Sequence, residues 1–236
     1  MYSLFGKKII FSILLLGFGN LVFSQSNSTD NYNYRDFQKK GYYFGLSLGL
    51  NNSGYVVNQS KLFIGNESIK VTEGSSGYNF NLNMIANIKL GDYFDFRFLP
   101  GFAFTERNLE FTDVETSIVN SEKSDAVFFE LPFLVRFKSE PYKDKRVFVL
   151  GGLKYGYDVA SNSNSKKSIL KYSPHDFQWE VGIGMQFFYP YFIFSPEIKY
   201  SRGFTNKLIY DNSLNEARVL ENIFSQAFTL SFNFEG

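Results

Sequence analysis

The stretch NFNLNMIANI, residues 79–88, alternates apolar and polar side chains along most of its length. The even-numbered positions carry apolar side chains, namely Phe80, Leu82, Met84, Ala86 and Ile88. Four of the odd-numbered positions carry asparagine, namely Asn79, Asn81, Asn83 and Asn87. An alternation of period two predicts a β-strand, because successive side chains of a strand point to opposite faces. A row of asparagines does not line an ordinary apolar core. The strand is therefore predicted to have one apolar and one polar face.

Seven other segments repeat this pattern, which gives eight predicted strands. They cover residues 44–50, 94–104, 129–137, 147–157, 179–187, 192–200 and 228–234. Their length of about ten residues lets a tilted strand cross the hydrocarbon layer, whereas strands of soluble proteins are more often about five or six residues long. In these strands, charged side chains fall only on the polar face. Because lipid requires every backbone group to be paired internally, we expect an all-β fold, an eight-stranded antiparallel transmembrane β-barrel of the outer membrane.

The connections between these segments alternate between short and long links. Short links are Gly91–Asp92, Ser139–Lys145 and Tyr189–Pro190, and long polar links are Asn51–Ser76, Glu106–Asp125, Asp158–Pro174 and Gly203–Glu221. Outer-membrane barrels pair short periplasmic turns with longer extracellular loops. The alternation predicts that both termini lie in the periplasm and that the long loops are extracellular.

Three prolines fall inside predicted strands, at Pro100, Pro132 and Pro196. Proline has no N–H, so each one removes a hydrogen bond from the ladder. We expect a β-bulge at each of these positions.

The first forty residues divide into two segments ahead of the barrel, which covers residues 41–236. Lys7 and Lys8 precede a short apolar stretch, and Val22 and Ser24 suit cleavage before Gln25. Residues 1–24 are therefore predicted to be a signal peptide. Residues 25–40 are polar and have no apolar period, so they are predicted to be a flexible periplasmic segment.

Charged side chains occupy the polar faces of the predicted strands. They are Asp95, Arg97, Glu130, Arg136, Lys154, Glu180, Glu197 and Lys199. A barrel of eight strands has room for side chains inside but not for a wide pore. We expect these residues to form a structural network of salt bridges in the lumen. The alternative, a catalytic pair of glutamates, would need an interior that is open to solvent and substrate.

Little in the sequence indicates catalysis or a cofactor. Cysteine is absent, which excludes disulfides and thiolate metal sites. His175 is the only histidine, and a triad with Ser173 and Asp176 would consist of neighbours in sequence, which rarely form one. No metal-ligand spacing or phosphate-binding glycine loop is present. The interspersed charges, with a net charge of +1, offer no basic face. We expect no enzymatic activity, cofactor, metal, nucleic-acid partner or small-molecule substrate.

Four strand segments carry distinctive motifs: GLSLGLN at 45–51, RFLPGFAF at 97–104, FELPFLVR at 129–136 and VLGGLKYG at 149–156. Together they resemble the PorT family of outer-membrane β-barrel proteins. The resemblance extends over nearly all of the mature chain. It implies a role in the type IX secretion system, which moves cargo with C-terminal sorting domains across the outer membrane and supplies adhesins in gliding bacteria. It implies no enzymatic activity, and it gives no functional residues that could be assigned to positions of this sequence. The expected partners are outer-membrane lipid and other type IX secretion or envelope proteins.

Two other functions are compatible with the same strands. A general small barrel for adhesion or envelope integrity would differ only in the proteins with which it copurifies. An outer-membrane enzyme acting on lipid or peptide would lose its activity in a His175→Ala variant. All three alternatives require lipid or detergent, because rings of Phe and Leu on every strand would aggregate in water.

Overall fold

The computed structural model describes residues 31–59, 69–113, 119–159, 171–209 and 220–236, so the predicted signal peptide lies outside the described residues. The described elements are α1 (Tyr32–Gln38), β1 (Tyr42–Gln59), β2 (Ile69–Lys89), β3 (Phe94–Phe98), β4 (Gly101–Asp113), β5 (Val119–Lys138), β6 (Lys145–Asp158), β7 (Lys171–Tyr172), β8 (His175–Phe188), β9 (Ile193–Gly203), β10 (Leu208–Ile209) and β11 (Leu220–Glu235). Within these ranges, no helix is long and apolar enough to cross a bilayer.

The large sheet closes on itself. Its order is β1, β11, β9, β8, β6, β5, then β3 and β4 as two halves of one strand, then β2, which pairs again with β1. Every pairing is antiparallel, and the first strand meets the last from Gly45↔Glu235 onward. Closure leaves no exposed sheet edge, which lipid would not tolerate. The predicted eight-stranded antiparallel barrel is confirmed. The short strands β7 and β10 form a separate pair.

The apolar faces of the strands form the outer wall of the barrel, and the polar faces form the inner wall. Met84 is 65% exposed on the outside, whereas its neighbour Asn83 is 4% exposed on the inside. Aromatic rings pack against each other across neighbouring strands of the outer wall, as in Phe80–Phe104, with 4.6 Å between the ring centroids. This polarity is the reverse of that of a soluble protein, and it places hydrocarbon rather than water around the barrel.

The strands reach farther than the alternating pattern does. β1 runs to Gln59, β2 starts at Ile69, and β4 and β5 stay paired without a register shift from Gly101↔Glu130 to Thr112↔Val119. The assignment of residues 51–76 and 106–125 to links is therefore wrong for the parts that lie in these strands. Backbone pairing continues there without an apolar side-chain pattern, because the pattern is needed only where a strand faces lipid.

The prolines cause no bulges. The register between β2 and its partner is the same on both sides of Pro100, from Ala86↔Phe98 to Asn83↔Gly101. Pro132 and Pro196 also pair in register, with Lys154 and Phe232 respectively. The prediction of bulges is wrong, and the only effect at Pro100 is the interruption that separates β3 from β4.

An asparagine of the inner wall supplies one of the missing bonds. The Leu99 amide donates to the Pro132 carbonyl at 3.1 Å, but Pro132 has no N–H with which to bond the Leu99 carbonyl in return. The Asn83 side-chain amide donates to that carbonyl instead, also at 3.1 Å. A buried carbonyl without a donor would be costly. Asn83 thus satisfies the carbonyl opposite Pro132, and the ladder continues there without a bulge.

A helix covers the barrel end that carries the short links 90–93, 139–144 and 189–192, here named the short-turn end; the opposite end is named the long-loop end. Residues 25–40 were predicted to be flexible, and this is wrong for α1. Tyr34 and Phe37 are buried against Phe188 and Ile193. Two apolar residues give no sustained period, and their partners lie far away in the chain, so local sequence does not reveal the helix.

The turn residue Asp144 holds the start of this helix. Its carboxylate accepts from the Tyr34 backbone amide at 2.9 Å and from the Asn33 side chain at 3.3 Å. The residue at the N-cap position, Asn31, makes no side-chain cap bond, so Asp144 takes that role from another part of the chain. Burial raises the pKa of the Tyr34 phenol, and its hydroxyl accepts a hydrogen bond from the Arg146 guanidinium at 3.4 Å.

We expect an Asp144→Gly variant to weaken the docking of α1 and leave the barrel folded. Asp144 has φ 55° and Lys143 has φ 49°, so glycine suits both positions. Losing the carboxylate should speed hydrogen exchange of residues 32–38 about tenfold, as expected when a cap worth about 1–2 kcal/mol is removed. Lys143→Gly is the matched control, because the Lys143 ammonium contacts the Tyr142 ring. Equal exchange rates in the two variants would contradict this role of Asp144.

Candidate functional site

The polar interior of the barrel is the candidate site, and all eight predicted charged residues lie on its wall, buried. They fall into two groups. The lower cluster, near the short-turn end, contains Asp95, Arg97, Arg136 and Glu197 together with Lys138 and Glu235. The upper cluster, nearer the long-loop end, contains Glu130, Lys154, Glu180 and Lys199.

The lower cluster is a bridged set of ion pairs. The Arg97 guanidinium donates to both Glu197 and Glu235, one Nη atom to each. Arg136 Nη2 lies 2.7 Å from Asp95 Oδ2, and its Nη1 lies 3.6 Å from Glu235 Oε1. The Lys138 ammonium pairs with the other oxygen of Asp95. The charges of the three cations and the three carboxylates balance. Buried charges are tolerated when they are paired in this way.

Arg136 also connects the ion pairs to the rest of the inner wall. Its Nη2 donates to the Tyr43 hydroxyl and, at 3.3 Å, to Asn87 Oδ1. Its guanidinium carbon lies 4.7 Å from the centroid of the Phe148 ring. Phe148 belongs to an apolar layer of the inner wall, whose other members are Ile85, Leu99, Leu134 and Leu150. This layer separates the two charge clusters along β5 and β6.

The upper cluster is a chain of alternating charges. Lys154 Nζ lies 3.2 Å from Glu130 Oε1 and 3.7 Å from Glu180 Oε2. The other oxygen of Glu180 lies 3.4 Å from Lys199 Nζ. The cavity that these side chains border has a volume of about 10 Å³, which is room for about one water molecule. Around the upper cluster, the described interior is therefore filled rather than open.

This arrangement leaves little capacity for chemistry. Glu130 and Glu180 share Lys154 between them, so a cation occupies the place where a hydrolytic pair would need substrate. Among the residues that the structure describes, no group of three or more His, Cys, Asp or Glu side chains could hold a metal ion. The charged side chains of the inner wall are thus paired with one another across strands.

Sequence reasoning missed several members of this interior. Lys138, Glu235 and Asp176 have the same parity as the predicted inward residues on their strands, so the alternation could have identified them. Lys207 lies after the end of β9, where no pattern indicates its position, and its Nζ is 3.7 Å from Asp176 Oδ2. The same oxygen of Asp176 accepts from the Ser225 hydroxyl at 2.6 Å.

His175 and its neighbours do not form a catalytic triad. His175 and Asp176 are consecutive in β8, so their side chains point to opposite faces of the sheet. The His175 ring is exposed and shares a 2.7 Å hydrogen bond with the Tyr155 hydroxyl through Nδ1. Asp176 is fully buried in the lumen. Ser173 Oγ contacts only the backbone of His175 within the described contacts. Nothing here aligns a nucleophile, a base and an orienting carboxylate.

We expect the protein to conduct no ions in a planar lipid bilayer. The paired arginines, the apolar layer and α1 together leave no continuous aqueous path through the described barrel. Single-channel recording of the refolded protein should give a flat trace, with a large porin inserted under identical conditions as positive control. Discrete, reproducible conductance steps would contradict a filled lumen.

Comparison with known proteins identifies a matching protein family and several similar solved structures. The family model of the outer membrane protein beta-barrel domain matches residues 23–208. The solved structure of OprG from Pseudomonas aeruginosa is 10% identical, with 83% of this chain and 95% of OprG covered and a TM-score of 0.49. Neisserial surface protein A is 10% identical, with 82% and 96% covered and a TM-score of 0.43.

Ail of Yersinia pestis, in complex with the heparin analogue sucrose octasulfate, is 15% identical, with 84% of this chain and 100% of Ail covered and a TM-score of 0.41. No curated protein matches the sequence. The family match spans well over half of the chain and includes most of the barrel strands. The chain therefore belongs to the family defined by the outer membrane protein beta-barrel domain.

Proposed function

We propose that this protein is a non-enzymatic, non-conducting component of type IX secretion that acts through protein contacts in the outer membrane. The observation that carries the proposal is the filled lumen, in which Arg97 and Arg136 are paired with Glu197, Glu235 and Asp95. Such an interior leaves the outer wall, the loops and the turns as the working surfaces. The link to type IX secretion rests on the PorT-like segments at 45–51, 97–104, 129–136 and 149–156.

In this proposal the short-turn end faces the periplasm, with both termini, and the long-loop end faces outward. Short periplasmic turns and long outer loops are the rule in outer-membrane barrels. α1 then presents its exposed side to the periplasm, next to the turn that holds Asp144. Other components of the secretion system or of the envelope would bind at this face or at the outer loops, and lipid would contact the wall between them.

The test is deletion of the gene, followed by mass spectrometry of culture medium, cell surface and periplasm. Proteins with type IX sorting domains should accumulate in the periplasm, while other outer-membrane proteins assemble normally. Wild-type protein should restore export. Complementation with Asp144→Gly then asks whether the docked α1 is part of the contact surface, with Lys143→Gly as the matched control.

Three outcomes would contradict the proposal. Unchanged export after deletion would leave a general barrel for adhesion or envelope integrity, and so would a defect shared by all outer-membrane proteins. A defect confined to one lipid- or peptide-modifying reaction, and reproduced by His175→Ala, would indicate an enzyme.

A further inference from the structure

An apolar groove crosses the outer wall where β2, β1, β11 and β9 lie side by side. Its volume is about 620 Å³. Strand register places four of its lining side chains in one row, because Phe80 pairs with Leu50, Leu50 with Leu230, and Leu230 with Ile198. Phe228 lies in the next row toward the long-loop end. The floor of the groove is therefore a continuous apolar stripe across four strands.

Beyond the apolar row, polar side chains face outward toward the long-loop end of the groove, and Asn51, Asn79 and Thr229 also line it. Asn52 pairs in register with Phe228 and shares its outward face. One row farther, Gln226 pairs with both Gly54 and Arg202. Gly54 carries no side chain that could cover the Asn52 amide from that side. Within the described part of the chain, the side chains of Asn52 and Arg202 have no hydrogen-bond or ion-pair partner.

Two aromatic residues place this polar border at headgroup depth. Trp179 pairs in register with Arg202, and its ring packs edge-on against Tyr200 with centroids 5.4 Å apart. Trp and Tyr collect where hydrocarbon meets the headgroups. Arg202 lies four residues beyond Ile198 on β9, a distance of about 13 Å along the strand. A cation at headgroup depth above an apolar groove matches an amphiphile that has an anionic head and an acyl chain.

We propose that this groove binds one acyl chain of a phosphorylated, multiply acylated glycolipid of the outer leaflet, with a phosphate on Arg202. The amides of Asn52 and Gln226 bind the hydroxyl and carbonyl groups where the acyl chain joins the sugar. The choice of leaflet rests on the proposed orientation, in which the long-loop end faces outward. A glycerophospholipid also carries phosphate and acyl chains, but it belongs to the opposite leaflet.

The experiment measures lipid that remains with the full-length protein purified from outer membranes in mild detergent. Phosphate, 3-hydroxy fatty acids and glycerophosphate are quantified per barrel. The 3-hydroxy fatty acids indicate glycolipid, and glycerophosphate indicates glycerophospholipid. About one glycolipid per wild-type barrel is expected. Arg202→Gln should lower retention about fivefold, and Arg202→Lys should restore most of it. Leu50→Trp should lower retention about tenfold, the loss expected when about two methylene groups are displaced.

Leu153→Trp is the matched control, because Leu153 is an outward leucine of β6, on the opposite side of the barrel. Heat-modifiable mobility on gels confirms that each variant is folded. The proposal is overturned if wild-type protein retains no lipid, if Leu153→Trp and Leu50→Trp lose lipid equally, or if the retained lipid is glycerophospholipid. Export of type IX cargo is measured in a separate experiment. Failure of the lipid proposal therefore neither supports nor contradicts the proposed role in secretion.

Discussion

The Arg97→Met variant should lose about 3–5 kcal/mol of its free energy of unfolding. Arg97 is fully buried, and its guanidinium is the shared partner of Glu197 and Glu235. Methionine fills a similar space but leaves two carboxylates without that partner in a dry interior. The second carboxylate keeps only the more distant Arg136, at 3.6 Å. The measurement is a urea titration of the refolded protein in lipid vesicles, followed by Trp179 fluorescence.

Two further variants separate the ion pairs from the loss of a side chain. Arg202→Met makes the same substitution on the exposed outer wall and should cost no more than about 1 kcal/mol. The triple variant Arg97→Met, Glu197→Gln, Glu235→Gln removes the orphaned charges and should recover most of the stability. If Arg97→Met and Arg202→Met unfold at the same urea concentration, the lower cluster does not hold the barrel together.

The Leu82→Arg variant should lose about 2–4 kcal/mol, whereas Leu90→Arg should lose no more than about 1 kcal/mol. Both leucines are outward and similarly exposed in the isolated chain, at 48% and 60%. They differ in depth, since Leu82 lies well inside β2, seven residues before its last residue, whereas Leu90 follows the end of that strand. Hydrocarbon penalises the guanidinium at the middle of the wall, while headgroups and water accept it at the rim.

The same urea titration in vesicles measures both variants against wild type. Leu82→Phe is the control for the change in size, and it should remain close to wild type because the outer wall already carries aromatic rings. Equal costs for Leu82→Arg and Leu90→Arg would mean that lipid does not surround this wall.

The proposed lipid contact at Arg202 and the ion pairs of the lower cluster can be tested independently with these variants. Arg202 acts outside and Arg97 inside, although both are strand arginines of the same barrel. Loss of lipid retention without loss of stability is expected for Arg202→Gln. The two positions therefore distinguish a ligand contact from a structural contact.

The sequence by itself determined the barrel and the sidedness of its strands. Parity along a strand is a local property, because the pleat sends successive side chains to opposite faces. The residues 79–88 already carry an apolar face and an asparagine face, and lipid excludes an open edge for such a sheet. Hence the alternation of side chains along each strand is enough to predict that Asp95, Arg136 and Lys154 point inward.

Only the tertiary structure decided which residues meet. Arg97 pairs with carboxylates 100 and 138 residues away, and the Tyr34 amide reaches an aspartate 110 residues away. Asn83 satisfies a carbonyl that Pro132 cannot, and α1 forms on a segment with no periodic pattern. These contacts depend on the register and closure of the whole sheet, which are set by the sum of many long-range pairings and not by any single segment.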